Sequence, residues 1–229
     1  YCKSDVWLGQ YHYGSLHLLH SIGYAFDVDT QPDYKNLMEG KSKTKIKPSL
    51  LDKYKNIFRL VFACARSKGC SHIAQGLVGA GYFAKLYGKL YGDDAFMGDI
   101  WLPALKAVQK EFGNTHITVM NMSDKDIDAE YFGEKLDFYP QKAVQNAAER
   151  VTNKTLRFYD YKKPNAVRKE VQETLNKILF VNAWDPFSMV GNGNDSDPSL
   201  DGWMGRSSAS AYLCWPLTNP NIQYVPTTP

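Results

Sequence analysis

The chain has 229 residues and a mass of 25.9 kDa, with 44% hydrophobic and 22% charged residues. That length makes one large domain or two small ones and buries enough surface to fold without staples, and four cysteines without a CxxC pair exclude a small disulfide scaffold and a structural zinc. A net charge of +3 excludes a protein whose main task is coating nucleic acid, and apolar runs such as Leu60–Ala65 fall far short of the ~20 residues of a membrane span.

Short apolar runs alternate with amphipathic ones, which points to a layered α/β domain. Leu16–Ile22 reads as a buried strand, and the polar, Lys-rich Gln31–Pro48 as a loop. Ser49 is expected to cap a helix, with Asp52 three residues on as a capping-box variant. Leu51, Tyr54, Phe58, Val61 and Ala65 fall at helical spacing, and Gly69 ends that run. Ile73–Val78 reads as a strand. Gly79–Gly98 is glycine-rich and reads as too irregular for a helix.

Asp99 is expected to cap the next helix, with Leu102, Leu105, Val108 and Phe112 as its apolar face and Pro103 tolerated in the first turn. His116–Met122 reads as a strand and Asp124–Asp137 as an acidic loop. Pro140 opens a helix to Val151 with Ala143, Val144, Ala147 and Ala148 inward. Leu156–Tyr161 reads as a strand. Pro164 sits at the first position of a helix carrying Val167, Val171, Leu175 and Ile178. Leu179–Ala183 is a buried strand, and Leu200–Leu213 a last helix. No repeat or linker divides the chain, so residues 1–229 are expected to form one domain.

Two segments carry candidate chemistry. Gly79-Ala80-Gly81-Tyr82-Phe83-Ala84 follows a strand and formally fits the dinucleotide fingerprint, with Asp99 twenty residues on. That mechanism needs a helix starting inside the motif, so that the pyrophosphate meets helix N–H groups. The glycines at 88, 92 and 98 argue against such a helix, at roughly 1 kcal/mol each. A backbone anion nest or a tight packing turn remain the two readings of this segment. The second segment runs from Val181-Asn182-Ala183-Trp184-Asp185-Pro186 through Gly191-Asn192-Gly193-Asn194-Asp195 to Asp197, Asp201, Gly202, Trp203 and Arg206. It leaves a strand, where open α/β sheets bind ligands. It combines four carboxylates, two Trp rings and permissive backbone.

Calcium loops starting at Asp124 or Asp195 fail at their glycine and terminal glutamate positions, so no metal is expected. Neither a GxSxG elbow nor HExxH is present. His12, His17, His72 and His116 read as structural, and Cys64, Cys70 and Cys214 as inert buried thiols.

Several stretches resemble macrodomains. Tyr54-Lys55-Asn56-Ile57-Phe58 through Gly69, then Ser71-His72-Ile73-Ala74 through Gly79-Ala80-Gly81-Tyr82-Phe83, are similar to that family's Tyr-Arg-Asn helix, strand and phosphate loop. His20-Ser21-Ile22-Gly23 resembles its His-Thr-Val-Gly strand. Val181-Asn182-Ala183-Trp184-Asp185 resembles its Val-Asn-Ala-Ala-Asn strand end, which in ordinary macrodomains comes first. The order here is that of a circular permutation. Asn182-Ala183-x-Asp185-Pro186, Gly191-Asn192-Gly193-Asn194 and Ser199-Leu200-Asp201-Gly202-x-x-Gly205-Arg206-Ser207-Ser208 resemble most closely the MavL-like class.

The resemblance implies a permuted three-layer α/β/α sandwich with a mixed central sheet. It implies a hydrolase that removes mono-ADP-ribose from modified arginine, with ADP-ribose and mono-ADP-ribosylated protein as partners and no cofactor. Asp185, Asp195 and Asp201 become the candidate catalytic acids. Asn182, Gly79, Ala80, Gly81, Tyr82, Phe83, Gly191, Asn192, Gly193, Asn194, Gly202 and Arg206 become the candidate ligand contacts. Asp185 and Ala84 depart from the family's second Asn and its loop Gly, and Asp160 is the candidate adenine contact. A non-catalytic ADP-ribose reader is the alternative, and an unrelated nucleotide or sugar-phosphate enzyme a third reading. The chain is expected to be a monomer that binds neither nucleic acid nor membrane. It opens at Tyr1 without Met and reads as an excised segment, acting in the cytoplasm or as a secreted effector in a host cytosol.

Overall fold

The computed structural model describes residues 1–8, 11–21, 23–24, 26–27, 29–30, 32–39, 45–46, 49–113, 117–121, 140–154 and 164–183. Helices and strands alternate along these residues, as the α/β reading expects. The chain divides into two compact units, each assembled from segments distant in sequence. Among the described residues the first unit takes 1–20, 64–76 and those from 117 onward; the second takes 21–63 and 77–113.

The first unit is built on a sheet of β1 (Cys2–Leu8), β2 (Tyr11–Ser21), β5 (His72–Gln75), β6 (Thr118–Asn121) and β7 (Ile178–Ala183). The strand order is β1-β2-β7-β5-β6, so the last described strand lies in the middle. β1 and β2 are antiparallel, while β5 is parallel to both β6 and β7, which makes the sheet mixed. Parallel neighbours need a long crossover, and here the crossovers carry helices. Two of them, α5 (Pro140–Thr152) and α6 (Pro164–Leu175), bury their apolar stripes on the sheet. Val144, Ala147, Ala148, Val171 and Leu175 pack with Leu16, Leu18, Ala74, Met120, Ile178 and Phe180. Each α-helical stripe recurs at three or four residues and each strand set at two, the periods that point one face inward. Gln172 of α6 clips to β2 through both backbone groups of Ser15, at 2.9 and 3.2 Å.

In the second unit lie a short helix α1 (Pro32–Leu37), the two-residue strands β3 (Met38–Glu39) and β4 (Lys45–Ile46), and most of α2 (Ser49–Ser67). A 3-10 turn (Tyr82–Ala84), α3 (Lys85–Tyr91), a π-helical turn (Met97–Trp101) and α4 (Leu102–Glu111) complete it. Its core is aromatic. Tyr54 and Tyr87 each meet Phe96 edge-on at 5.3 Å, and Phe58 meets Trp101 edge-on at 5.0 Å. Such geometry aligns positive ring edges with negative faces and adds about 0.5–1.5 kcal/mol per pair to the buried area.

Several sequence expectations need correction. Gln31–Pro48 is not a plain loop: Leu37 is buried at the end of α1, and Met38–Glu39 pairs antiparallel with Lys45–Ile46. Ser49 is itself the first helical residue, and Asp52 pairs with Lys55 at 3.0 Å. The strand predicted to Val78 stops at Gln75, because Leu77–Ala80 turn. Gly79–Gly98 is largely helical. Tyr87 anchors α3 on Phe96, and this packing outweighs the glycine propensity term. Asp99 lies inside the π-helical turn rather than capping α4, and Phe112 is only half-buried. Ile178 belongs to β7, not to the helix before it. The predicted loop 124–137, strand 156–161 and helix 200–213 lie outside the described residues.

Candidate functional site

The glycine turn follows β5 directly. Gly79 has φ of +72°, a left-handed backbone that glycine adopts without the Cβ penalty. The space around it demands glycine as well. A Cβ on Gly79 would collide with the Tyr54 hydroxyl and come within 2.8 Å of the Gly23 Cα; one on Gly23 would strike the Gly79 backbone. Two bare backbones therefore meet over one phenol. Tyr54 is fully buried on α2, and its oxygen accepts a hydrogen bond from the Tyr24 N–H at 3.3 Å. Burial holds its hydroxyl well above the usual tyrosine range, so it stays a neutral donor and acceptor.

Around this turn the backbone is tightly tied. The Ala80 N–H donates to the Leu77 carbonyl at 3.0 Å, and the Ala84 N–H to the Gly81 carbonyl at 3.1 Å. The Phe26 N–H donates to the Phe83 carbonyl at 2.7 Å, and the Leu86 N–H to the Phe26 carbonyl at 2.8 Å. The buried Trp101 indole N–H donates to the Val78 carbonyl at 3.1 Å. Ala80 thus has its N–H committed inside the turn, while Gly81, Tyr82 and Phe83 remain candidate anion contacts.

A helical turn does begin inside the fingerprint, at Tyr82, contrary to the sequence argument against it. The dinucleotide reading fails on different ground. Asp99 sits in a helical turn, where its carboxylate accepts from the Tyr87 hydroxyl at 3.4 Å, and not after a second strand where a ribose contact is required.

Asn182 lies next to the carboxyl-terminal residue of the central strand β7. Asp185, Gly191, Asn192, Gly193, Asn194, Asp195, Asp201, Gly202 and Arg206 lie outside the described residues, as does Asp160.

One residue at the strand ends escaped the sequence reading. Gln75 closes β5, in register with Asn121 of β6 on one side and Val181 of β7 on the other. Its side chain is 0% exposed, and neither its amide nitrogen nor its amide oxygen has a hydrogen-bond partner. A buried polar group left unmatched costs about 1–3 kcal/mol. The contrast with Gln172 is direct, since that carboxamide bonds Ser15 twice and Asn176 once. The available signal was a polar amide closing the apolar run Ile73-Ala74, just before Gly76.

The remaining candidates for reactivity are quiet. Cys64 and Cys70 are buried free thiols, and burial pushes Cys70 up to about 12 and raises Cys64 too. His17 accepts or donates to the Tyr1 hydroxyl at 2.6 Å, and His72 pairs with the Ser71 hydroxyl at 2.8 Å. Among the described residues no group of three His, Cys, Asp or Glu side chains could hold a metal ion, and no helix is long and apolar enough to cross a membrane. No family model matches the chain, and neither a curated protein nor a solved structure matches it significantly.

Proposed function

We propose that this chain is a hydrolase that removes mono-ADP-ribose from modified arginine side chains, on a permuted macrodomain-like fold. The observation that supports it most is the place of β7. The Val181-Asn182-Ala183 strand is central and parallel to β5, so the acid- and glycine-rich segment 184–206 follows the carboxyl end of a central parallel strand. Ligands of open α/β sheets bind at such ends.

In this reading Asn182 orients the distal ribose. The N–H groups of Gly81, Tyr82 and Phe83, with those of Gly191–Asn194, take the pyrophosphate. Breaking the anomeric C–N bond builds positive charge on the sugar, which nearby carboxylates stabilise while one of them activates water. A guanidinium is planar and always cationic, so a carboxylate grips it through two parallel hydrogen bonds. Asp185, Asp195 and Asp201 share these tasks, and Arg206 pairs with a phosphate or with one of the acids.

The test is release of ADP-ribose from arginine-linked mono-ADP-ribosylated protein. Wild type is expected to turn over, with Asp195→Ala and Asp201→Ala slower by about 100-fold or more. Full activity in both variants removes the assignment of these acids. Binding of ADP-ribose without release from any linkage leaves a reader module instead.

A further inference from the structure

We propose that Cys64 and Cys70 form a reversible intramolecular disulfide, a thiol–disulfide switch at the carboxyl end of α2.

The argument starts from how α2 stops. Ser67 is its last helical residue, and Gly69 has φ of +68°, the left-handed conformation that closes many helices. The Gly69 N–H donates to the Arg66 carbonyl at 3.1 Å, and the Cys70 N–H reaches back to the Ala65 carbonyl at 2.9 Å. This pair of bonds turns the chain sharply, and it brings the residue after the glycine onto the last full turn of the helix. The residue in that position is Cys70, and the positions it folds onto are Ala65 and Cys64. Both cysteines are buried, and both are free thiols. Burial comes first in raising the Cys70 thiol to about 12, and charge on Cys64 comes second, so the two groups lie close enough to act on each other. Burial raises Cys64 as well, while Lys68, on the turn between them, acts on both thiols in the opposite direction. The Cys70 Sγ donates to the Asn176 carbonyl across a long 3.9 Å, so a disulfide gives up little that the thiol had gained.

The exchange balances with a small-molecule disulfide such as oxidised glutathione as the oxidant. A thiolate of one cysteine attacks it, forms a mixed disulfide and expels one glutathione thiolate. The second cysteine attacks the protein sulfur of that mixed disulfide and expels the other. The protons lost by the cysteines end on the released thiolates, so dithiol and disulfide have exchanged oxidation states. Because burial keeps both cysteines protonated, the first attack waits for the last turn of α2 to fray, which makes the switch slow. The new bond closes a loop over residues 65–69 and ties the end of α2 to the chain entering β5.

The experiment equilibrates the whole folded chain in glutathione buffers of rising oxidised fraction, then quenches with acid, alkylates and digests with trypsin. Cleavage after Arg59, Arg66, Lys68 and Lys85 leaves Cys64 on peptide 60–66 and Cys70 on peptide 69–85. The expected result is these two peptides linked as the main oxidised species, and released again by reduced glutathione. The oxidised protein should melt about 5 °C above the reduced one, because the bond restricts the unfolded chain. Cys64→Ala should give only the glutathione adduct on Cys70 and no such rise in Tm. Cysteines 64 and 70 both alkylated after oxidation, or linked to Cys2 or Cys214 instead, overturn the proposal. A linked pair with a Tm equal to or below that of the reduced protein overturns it too, because the folded turn then holds the sulfurs apart and the bond forms only in the opened chain. Should the variant fail to fold, the wild-type peptide map and melt decide on their own.

Discussion

In the second unit the Gly79 turn is held by contact. Two glycine backbones touch over a buried phenol, and neighbouring N–H groups are tied to Leu77, Phe83 and Phe26 carbonyls. In the first unit Gln75 is held by register. The ladder fixes its place between Asn121 and Val181, yet its own amide bonds to nothing. The first arrangement uses close packing to fix a backbone that L-residues avoid. The second fixes a side chain and leaves its polar atoms unmatched. Steric closure makes a rigid platform, while an unmatched buried amide carries a desolvation cost of about 1–3 kcal/mol.

Substitutions separate the two arrangements. The largest effect is expected for Gly79→Ala, which combines a disfavoured φ with overlap on Tyr54 and Gly23. The two terms together are about 3 kcal/mol, read from the shift of the urea midpoint. A midpoint equal to wild type would break the account of this turn as sterically closed. Tyr54→Phe should cost about 1 kcal/mol, since the Tyr24 N–H loses its acceptor but the ring stays against Phe96. A loss as large as that of Gly79→Ala would shift the emphasis from shape to the hydroxyl.

The smallest effect is expected from pH, and it belongs to the first unit. Burial, helped by Lys3 and Lys68, holds His17 below its ordinary 6.5. The unfolded chain therefore takes up a proton before the folded one does. The contribution is complete above 6.5 and is lost as pH falls through the lower folded value. His72 is lowered in the same direction by burial and Lys177. Thermal melts of wild type and His17→Gln from pH 7.5 to 5 should converge at the acid end. Parallel curves would assign the acid sensitivity elsewhere.

Much of the scaffold was legible in the chain because periodicity reports local faces. Tyr54, Phe58, Val61 and Ala65 announce α2 and are fully buried on it. Val171 and Leu175 do the same for α6. The segment Gly79–Gly98 was misread because propensity weighs each glycine alone, whereas Tyr87 and Tyr54 both close on Phe96 and organise the helices around it. Gln75 was passed over because one polar residue hardly alters a strand pattern. Its significance depends on partners it lacks, and sequence does not list partners.

By itself, the sequence determined which segments are amphipathic and where glycines and carboxylates cluster, since these follow from residue type and spacing. Only the tertiary structure decided that β7 runs in the middle of the sheet beside β5, and that Gly23 and Gly79 meet over Tyr54. The same holds for Gln75, which is buried without a bond. The physical reason is range. Spacing acts within a turn or a strand, whereas strand order, backbone contact and the matching of polar groups join residues far apart in the chain.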